Sequence, residues 1–431
     1  MHRLFLAAWA FAAALLLVPG TACAAPTMRE VLTALYGVHD LGGVALSPAG
    51  DAVVWQESFH SAPHLLDSPR SSALYLQRLT GGAPVRITAG PPGAFYDEES
   101  PAWSPDGRAI AFLSDARSSG QLQLFVAGTN GRHVRQIGRL NGNVARLTWS
   151  PDGRSVAFLY IAAAHRKAGA LAPGARDVGV IGSIVDEQRL VTVDVATGAL
   201  RGLTPADSYV YEYGWSPDGS AIAVTYSRGN GDNNWWIARL ARVDIASGTM
   251  RDLFAPAFQL NDPQWSPDGS RIAVIGGIMS DFGSTGGDLY LVDAGTGEAR
   301  NATPGAAFSV QSLRWNDPSS LDLVAHVPGA MHLLRLDISN AQVTTLIGAD
   351  ESIWSWSSIR GGAMIALVRS SFDDPPEVLA GPPASLRQVS HRNARAVRFY
   401  GKAVSLRWTS DGFSVQGWLV YPLGYDPGRT Y

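Results

Sequence analysis

Tyr209-Val210-Tyr211-Glu212-Tyr213 sets one carboxylate among three phenols, just ahead of Trp215-Ser216-Pro217-Asp218-Gly219. Glu212 is the one candidate binding residue in the chain, against the plainer role of a strand residue leading into the next turn. Other polar groups fall short of a site. His60 and His64 are four apart, but Pro63 breaks any helix that would bring them to one face, so no metal pair is expected. Asp232, beside Asn233 and Asn234, lacks the D-x-D-x-D-G spacing of a calcium loop. Gly229-Asn230-Gly231-Asp232 reads as a hairpin tip, and Trp235-Trp236 after it as an exposed aromatic pair able to meet a partner. A nucleophile elbow, G-x-S-x-G, occurs nowhere. No catalytic residue, metal or cofactor is therefore expected in this chain.

The elements that would carry these groups repeat. Trp-Ser-Pro-Asp-Gly stands at Trp103–Gly107, Trp149–Gly153, Trp215–Gly219 and Trp265–Gly269. Each copy is followed by an apolar run such as Ile110-Ala111-Phe112 or Ile272-Ala273-Val274. Degenerate copies begin at Leu46, Trp315 and Trp356, giving seven units at intervals of 41 to 66 residues. That period is the period of four-stranded propeller blades. Ser-Pro-Asp-Gly is a turn tetrapeptide: Pro presets its own φ, Asp tolerates the bridge region and Gly closes the turn. A lone four-stranded sheet cannot cover both faces, whereas stacking seven around an axis does. The repeat Trp residues therefore read as blade-to-blade packing. The repeated aspartates each serve a separate turn and do not gather into one acid or metal array. The prediction is an all-β fold: a seven-bladed β-propeller over 43–390, four antiparallel strands per blade, contiguous in sequence, with no strand borrowed to close the ring. Thr27-Met28-Arg29-Glu30 fits a helical capping box in a lead-in over 25–42.

Composition agrees with this. The 431 residues hold 46 Gly and 26 Pro, too many breakers for a mainly helical chain. Net charge is −3 with both signs dispersed, which argues against a nucleic-acid partner. Leu4–Val18 is an apolar run behind Arg3, broken by Pro19-Gly20 and followed by Ala22-Cys23-Ala24. It reads as a signal peptide over 1–24, cut after Ala24, and hence a periplasmic or secreted protein. It is too short for a comfortable membrane span. Cys23 is the only cysteine, so the mature protein is expected to be free of thiols and disulfides.

Beyond the repeat, Thr409-Ser410-Asp411-Gly412 and Val415-Gln416-Gly417-Trp418-Leu419-Val420-Tyr421-Pro422 form a hairpin pattern, with Tyr425-Asp426-Pro427-Gly428 after it. With Ser370-Ser371-Phe372-Asp373-Asp374-Pro375-Pro376-Glu377 and the W-S-P-D-G repeats, this resembles the amino-terminal part of the prolyl oligopeptidase family of serine peptidases, which includes dipeptidyl and acylaminoacyl peptidases. The resemblance spans 28–431. It implies that 391–431 is a linker plus the truncated start of an α/β-hydrolase domain, with the Ser, Asp and His of that family outside this sequence. It further implies a propeller that gates access for short peptides while the missing hydrolase domain, in cis or in trans, does the chemistry. In dipeptidyl peptidases a Tyr-Glu-Glu stretch holds the substrate amine; Glu212 is the matching carboxylate here, with Tyr213 where a second would stand. Trp408, Trp418 and Tyr421 are expected to be exposed. The W-S-P-D-G repeat taken alone equally fits a stand-alone TolB-type periplasmic propeller acting as a protein-interaction scaffold, the alternative reading.

Overall fold

The computed structural model describes residues 26–60, 70–164, 187–229, 234–278, 286–348 and 350–430. The signal-peptide stretch, His64 and Asp232 lie outside them. Seven four-stranded antiparallel sheets follow one another along the chain, over 40–87, 98–136, 142–202, 208–254, 259–301, 309–347 and 352–388. In every sheet the spatial order of the strands follows the order in sequence, so each blade is built from its own segment alone. The first strands are Asp40–Leu46, Glu98–Trp103, Gly142–Trp149, Ser208–Trp215, Gln259–Trp265, Ser309–Asp317 and Ser352–Ser358. First strands of neighbouring blades approach one another, as blades one with two and seven, and four with five, show. These strands therefore face the axis, and the short fourth strands form the rim.

The repeated motif proves to be a device between blades as well as a turn. Within each turn the Ser hydroxyl donates to the Asp carboxylate, at 2.6 Å for Ser104–Asp106, Ser150–Asp152, Ser216–Asp218 and Ser266–Asp268. The same carboxylate accepts the backbone N–H two residues on. The turn Gly has φ near +70° and lies beside the Pro of the preceding blade's turn, as Gly153 does beside Pro105 and Gly219 beside Pro151. A left-handed conformation there is what reserves the position for glycine. The repeat Trp reaches back in the same direction. Indole N–H groups of Trp103, Trp149 and Trp315 donate to the carbonyls of Ala45, Ala102 and Gln264 in the preceding inner strand, at 3.0–3.1 Å. Trp356 donates instead to the Ser312 hydroxyl.

Those turn aspartates have an acid-stability consequence. Hydrogen bonds from Ser216 and Ser220 hold the Asp218 pKa down, to about 2, from an ordinary 3.8. Asp106, Asp152 and Asp268 are lowered for the same reason, the Ser hydroxyl first. A depressed carboxylate pKa contributes stability that is present above the unfolded value and is lost as pH falls through the folded one. The urea midpoint is therefore expected to fall between about pH 4 and about pH 2. Asp218→Asn should flatten part of that fall; an unchanged acid profile would show that these bonds do not strengthen in the folded state.

Ring closure is the work of two interfaces. Leu41, Val44, Leu46, Val53 and Trp55 of blade one pack on Ala366, Val368, Val378 and Ala380 of blade seven. Beside them runs a polar clasp between the chain entering blade one and the chain leaving blade seven. The Asn393 amide donates to the His39 carbonyl (2.9 Å) and accepts the His39 N–H (2.8 Å). Glu57, almost wholly buried, holds His39 at 2.6 Å on one oxygen and Arg392 at 2.7 Å on the other. The lead-in helix Met28–Tyr36 forms its Thr27/Glu30 capping box, and Tyr36 meets His60 edge to face at 4.6 Å.

Candidate functional site

Each inner strand breaks register against its neighbour about midway, at Gly42/Ala45, Glu99/Ala102, Val210/Glu212, Asn261/Gln264, Val310/Ser312 and Ile353/Ser355, and opposite Ala157/Leu159 in the third blade. Such bulges bend a strand and re-aim a side chain. Ser100, Arg146 and Asp262 adopt left-handed φ there, at a cost of roughly 1–2 kcal/mol each for a residue with a Cβ. What the bend achieves is visible in blades three to six. The Arg146 guanidinium lies 3.1 Å from one Glu212 oxygen, and the other accepts the Asp262 N–H. Asp262 in turn accepts from Gln264 (2.8 Å) and the Leu313 N–H (3.1 Å) and stands 3.9 Å from Arg314. Arg314 lies over the Trp356 ring of blade seven. A belt of two carboxylates, Glu212 and Asp262, flanked by the guanidinium groups of Arg146 and Arg314 thus joins five blades on their axial strands.

Glu212 is a member of this belt. Its carboxyl is buried, and burial pushes its pKa up while the Arg146 guanidinium pulls it back and Asp262 adds to the rise. Both oxygens are occupied, so an incoming amine would share them with Arg146 and a backbone N–H. Tyr213 serves the scaffold. Its hydroxyl accepts from Thr148 and shares its one proton between the Ala157 and Arg146 carbonyls, tying blade four to blade three, and burial pushes its phenol pKa far up. Tyr211 shares a hydrogen bond with Ser227 at 2.8 Å. Trp235 departs from the sequence expectation of an exposed pair. It is buried with Tyr209 and Tyr211 because the short turn at Trp235–Ile237 folds it onto the apolar cluster, leaving Trp236 outside.

Sequence reasoning missed Arg146, Asp262 and Arg314. A signal existed. Aligned on the repeat Trp, the position three earlier reads Ser100, Arg146, Glu212, Asp262, Ser312 and Ile353, a column that turns charged in three consecutive blades.

The carboxy-terminal hairpin is Tyr400–Ser410 paired with Phe413–Pro422. Against expectation, Tyr421, which meets the Tyr425 ring at 4.3 Å, is only partly exposed, and so is Trp418. Its indole donates to the Gly329 carbonyl of blade six (3.2 Å), and its ring meets Phe372 of blade seven at 4.8 Å. Gln416, on the same face, also lies against Gly329. Tyr400 donates to the Phe372 carbonyl at 2.7 Å. The pairing Val404↔Leu419, Leu406↔Gly417 and Trp408↔Val415 puts the apolar residues on the opposite face. There Leu406, Trp408 and Leu419 stay exposed. The hairpin is therefore held to the propeller by Trp418 and Gln416 on one side, where Val420 stays exposed, and turns its more apolar side away from it.

Among solved structures, an acylaminoacyl peptidase in complex with Z-Gly-Gly-Phe-chloromethyl ketone superposes with a TM-score of 0.67 at 15% identity, over 92% of this chain and 60% of that one. The chain has the propeller fold found in that peptidase. It spans about 60% of the peptidase's length. The β-propeller domain of the Trilobed protease from Pyrococcus furiosus, described as having an open velcro topology, matches at a TM-score of 0.58 and 14% identity, over 83% of this chain and 99% of that one. An oligogalacturonate lyase in complex with manganese matches at 0.51 and 15%, over 74% and 88%. No family model and no curated protein matches the chain. Among the described residues no helix is long and apolar enough to cross a membrane.

Proposed function

We propose that the chain is the substrate-gating propeller of an exported serine peptidase of the prolyl oligopeptidase family, acting on short peptides. The observation that carries this is the two-sided hairpin. A strand pair anchored to blades six and seven by Trp418, with Val404, Leu406, Trp408 and Leu419 facing outward, fits a surface on which an α/β-hydrolase domain packs. Burying such side chains is worth about 1.5–3 kcal/mol each, enough to hold a domain in place. The propeller likeness to an acylaminoacyl peptidase supports the same reading. Amide hydrolysis then belongs to that domain, because a hydroxyl at its ordinary pKa needs a positioned base and an oxyanion hole. The bulged inner strands and their charge belt keep the ring rigid, so peptides are selected by size. Export rests on Leu4–Val18 and Ala22-Cys23-Ala24.

A fluorophosphonate probe tests this. The chain alone is expected to remain unlabelled. Material in which an α/β-hydrolase domain is supplied in cis or in trans is expected to label stoichiometrically and to cleave short peptides. Stoichiometric labelling of the chain alone would overturn the reading.

A further inference from the structure

Where blades four to seven end their inner strands, a cavity of about 220 Å³ is lined by Trp215, Gln264, Trp265, Arg314, Ser358 and Arg360, among others. Residues of four successive blades meet only at the axis, so this is the mouth of the central channel on the side of the Ser-Pro-Asp-Gly turns. Its only charged lining residues are Arg314 and Arg360, and no Asp or Glu lines it. Arg314 donates to its own neighbour's carbonyl, and its closest acid, Asp262 at 3.9 Å, already accepts from Gln264 and Leu313. Arg360 has no hydrogen-bond or ion-pair partner among the described residues. Trp215 and Trp265, unlike the other repeat tryptophans, have indole N–H groups without an acceptor.

The turn of blade seven explains the charge. Ile359 N–H bonds to the Met364 carbonyl and Gly362 N–H to that of Ile359, the pattern that Ser104 and Gly107 make in blade two. Arg360 therefore occupies the place of the turn proline and Gly361 that of the turn aspartate. This turn thus lacks the aspartate of the four full copies and carries a base one place earlier, at the channel mouth.

We propose that this mouth is a carboxylate-binding site, formed by Arg314 and Arg360, that takes the free carboxylate of a short peptide lying in the channel. Each guanidinium lining the cavity can give a carboxylate charge-assisted hydrogen bonds. The choice of a peptide rests on the function proposed above. Binding needs no hydrolase domain, so failure here and failure of that reading are separately visible.

Calorimetric titration of the chain with acetyl-Ala-Ala-Ala tests it. The free acid should bind at least about tenfold more tightly than its carboxamide, a ratio that one charge-assisted hydrogen bond accounts for. Arg360→Ala should bring the acid down to the level of the amide, and added salt should weaken the acid alone. Arg360 is exposed and unpartnered, so this variant keeps its fold, which a matching urea midpoint would verify. Arg108→Ala, on the turn of blade two, should change nothing and separates the site from the general charge of this face. Equal binding of acid and amide, no binding of the acid at millimolar concentration, or an Arg360→Ala protein that binds the acid unchanged would overturn the proposal. Binding of trigalacturonate without binding of the peptide acid would overturn the choice of a peptide carboxylate.

Discussion

Glu57→Ala is expected to lower stability by about 2–3 kcal/mol, the effect of losing charge-assisted contacts to partners that keep about a third of their surface in water. Glu57 is the hub of the clasp that closes the ring: it reaches both His39, before blade one, and Arg392, after blade seven. Its loss leaves the Arg392 guanidinium over the Tyr75 ring without its ion-pair partner. Asn393→Ala removes three hydrogen bonds, two to the His39 backbone and one to the Pro376 carbonyl, and should cost about 3 kcal/mol at roughly 1 kcal/mol per bond. Urea unfolding followed by tryptophan fluorescence measures both. Midpoints within the error of the parent would mean that the apolar contact of Trp55 with blade seven closes the ring unaided.

Trp315→Ala is the second large effect, expected at about 3–5 kcal/mol through loss of a big aromatic from the packing between blades. The finer comparison is with phenylalanine. Trp315 donates to the Gln264 carbonyl, whereas Trp265, its counterpart one blade earlier, has no acceptor. Trp315→Phe should therefore cost about 1 kcal/mol more than Trp265→Phe. Equal costs would show that the indole bond adds nothing to ring packing and that the tryptophans act by volume alone.

The contrast between these two predictions shows where sequence is informative. Trp315 is legible without a structure because the residue type recurs: six of the seven units carry a Trp ahead of the turn, and three of these make the same indole bond to the preceding inner strand. Glu57, His39, Arg392 and Asn393 act once, and His39 and Asn393 meet across 354 residues of chain. No period marks them. The axial belt falls between the two. Arg146, Glu212 and Asp262 share one repeat position, but their pairing depends on bulges that turn Arg146 and Asp262 into the left-handed region and aim each side chain along the ring.

By itself, the sequence determined the number of blades, their four-stranded build, the turn chemistry and the packing role of the tryptophans, since all of these follow from local propensity repeated seven times. Its hairpin was legible too, as alternating residues around Ser410-Asp411-Gly412. Tertiary structure alone decided which face of that hairpin is covered. Alternation divides Trp408 from Trp418 but does not say which side meets Gly329 and Phe372. It also decided the state of Glu212. Whether a carboxylate is free for a ligand depends on what neighbouring blades bring to it, and Arg146 and the Asp262 N–H arrive from segments more than 45 residues away on either side. Closing a ring places such groups together at a distance in sequence where local pattern carries no record of the contact.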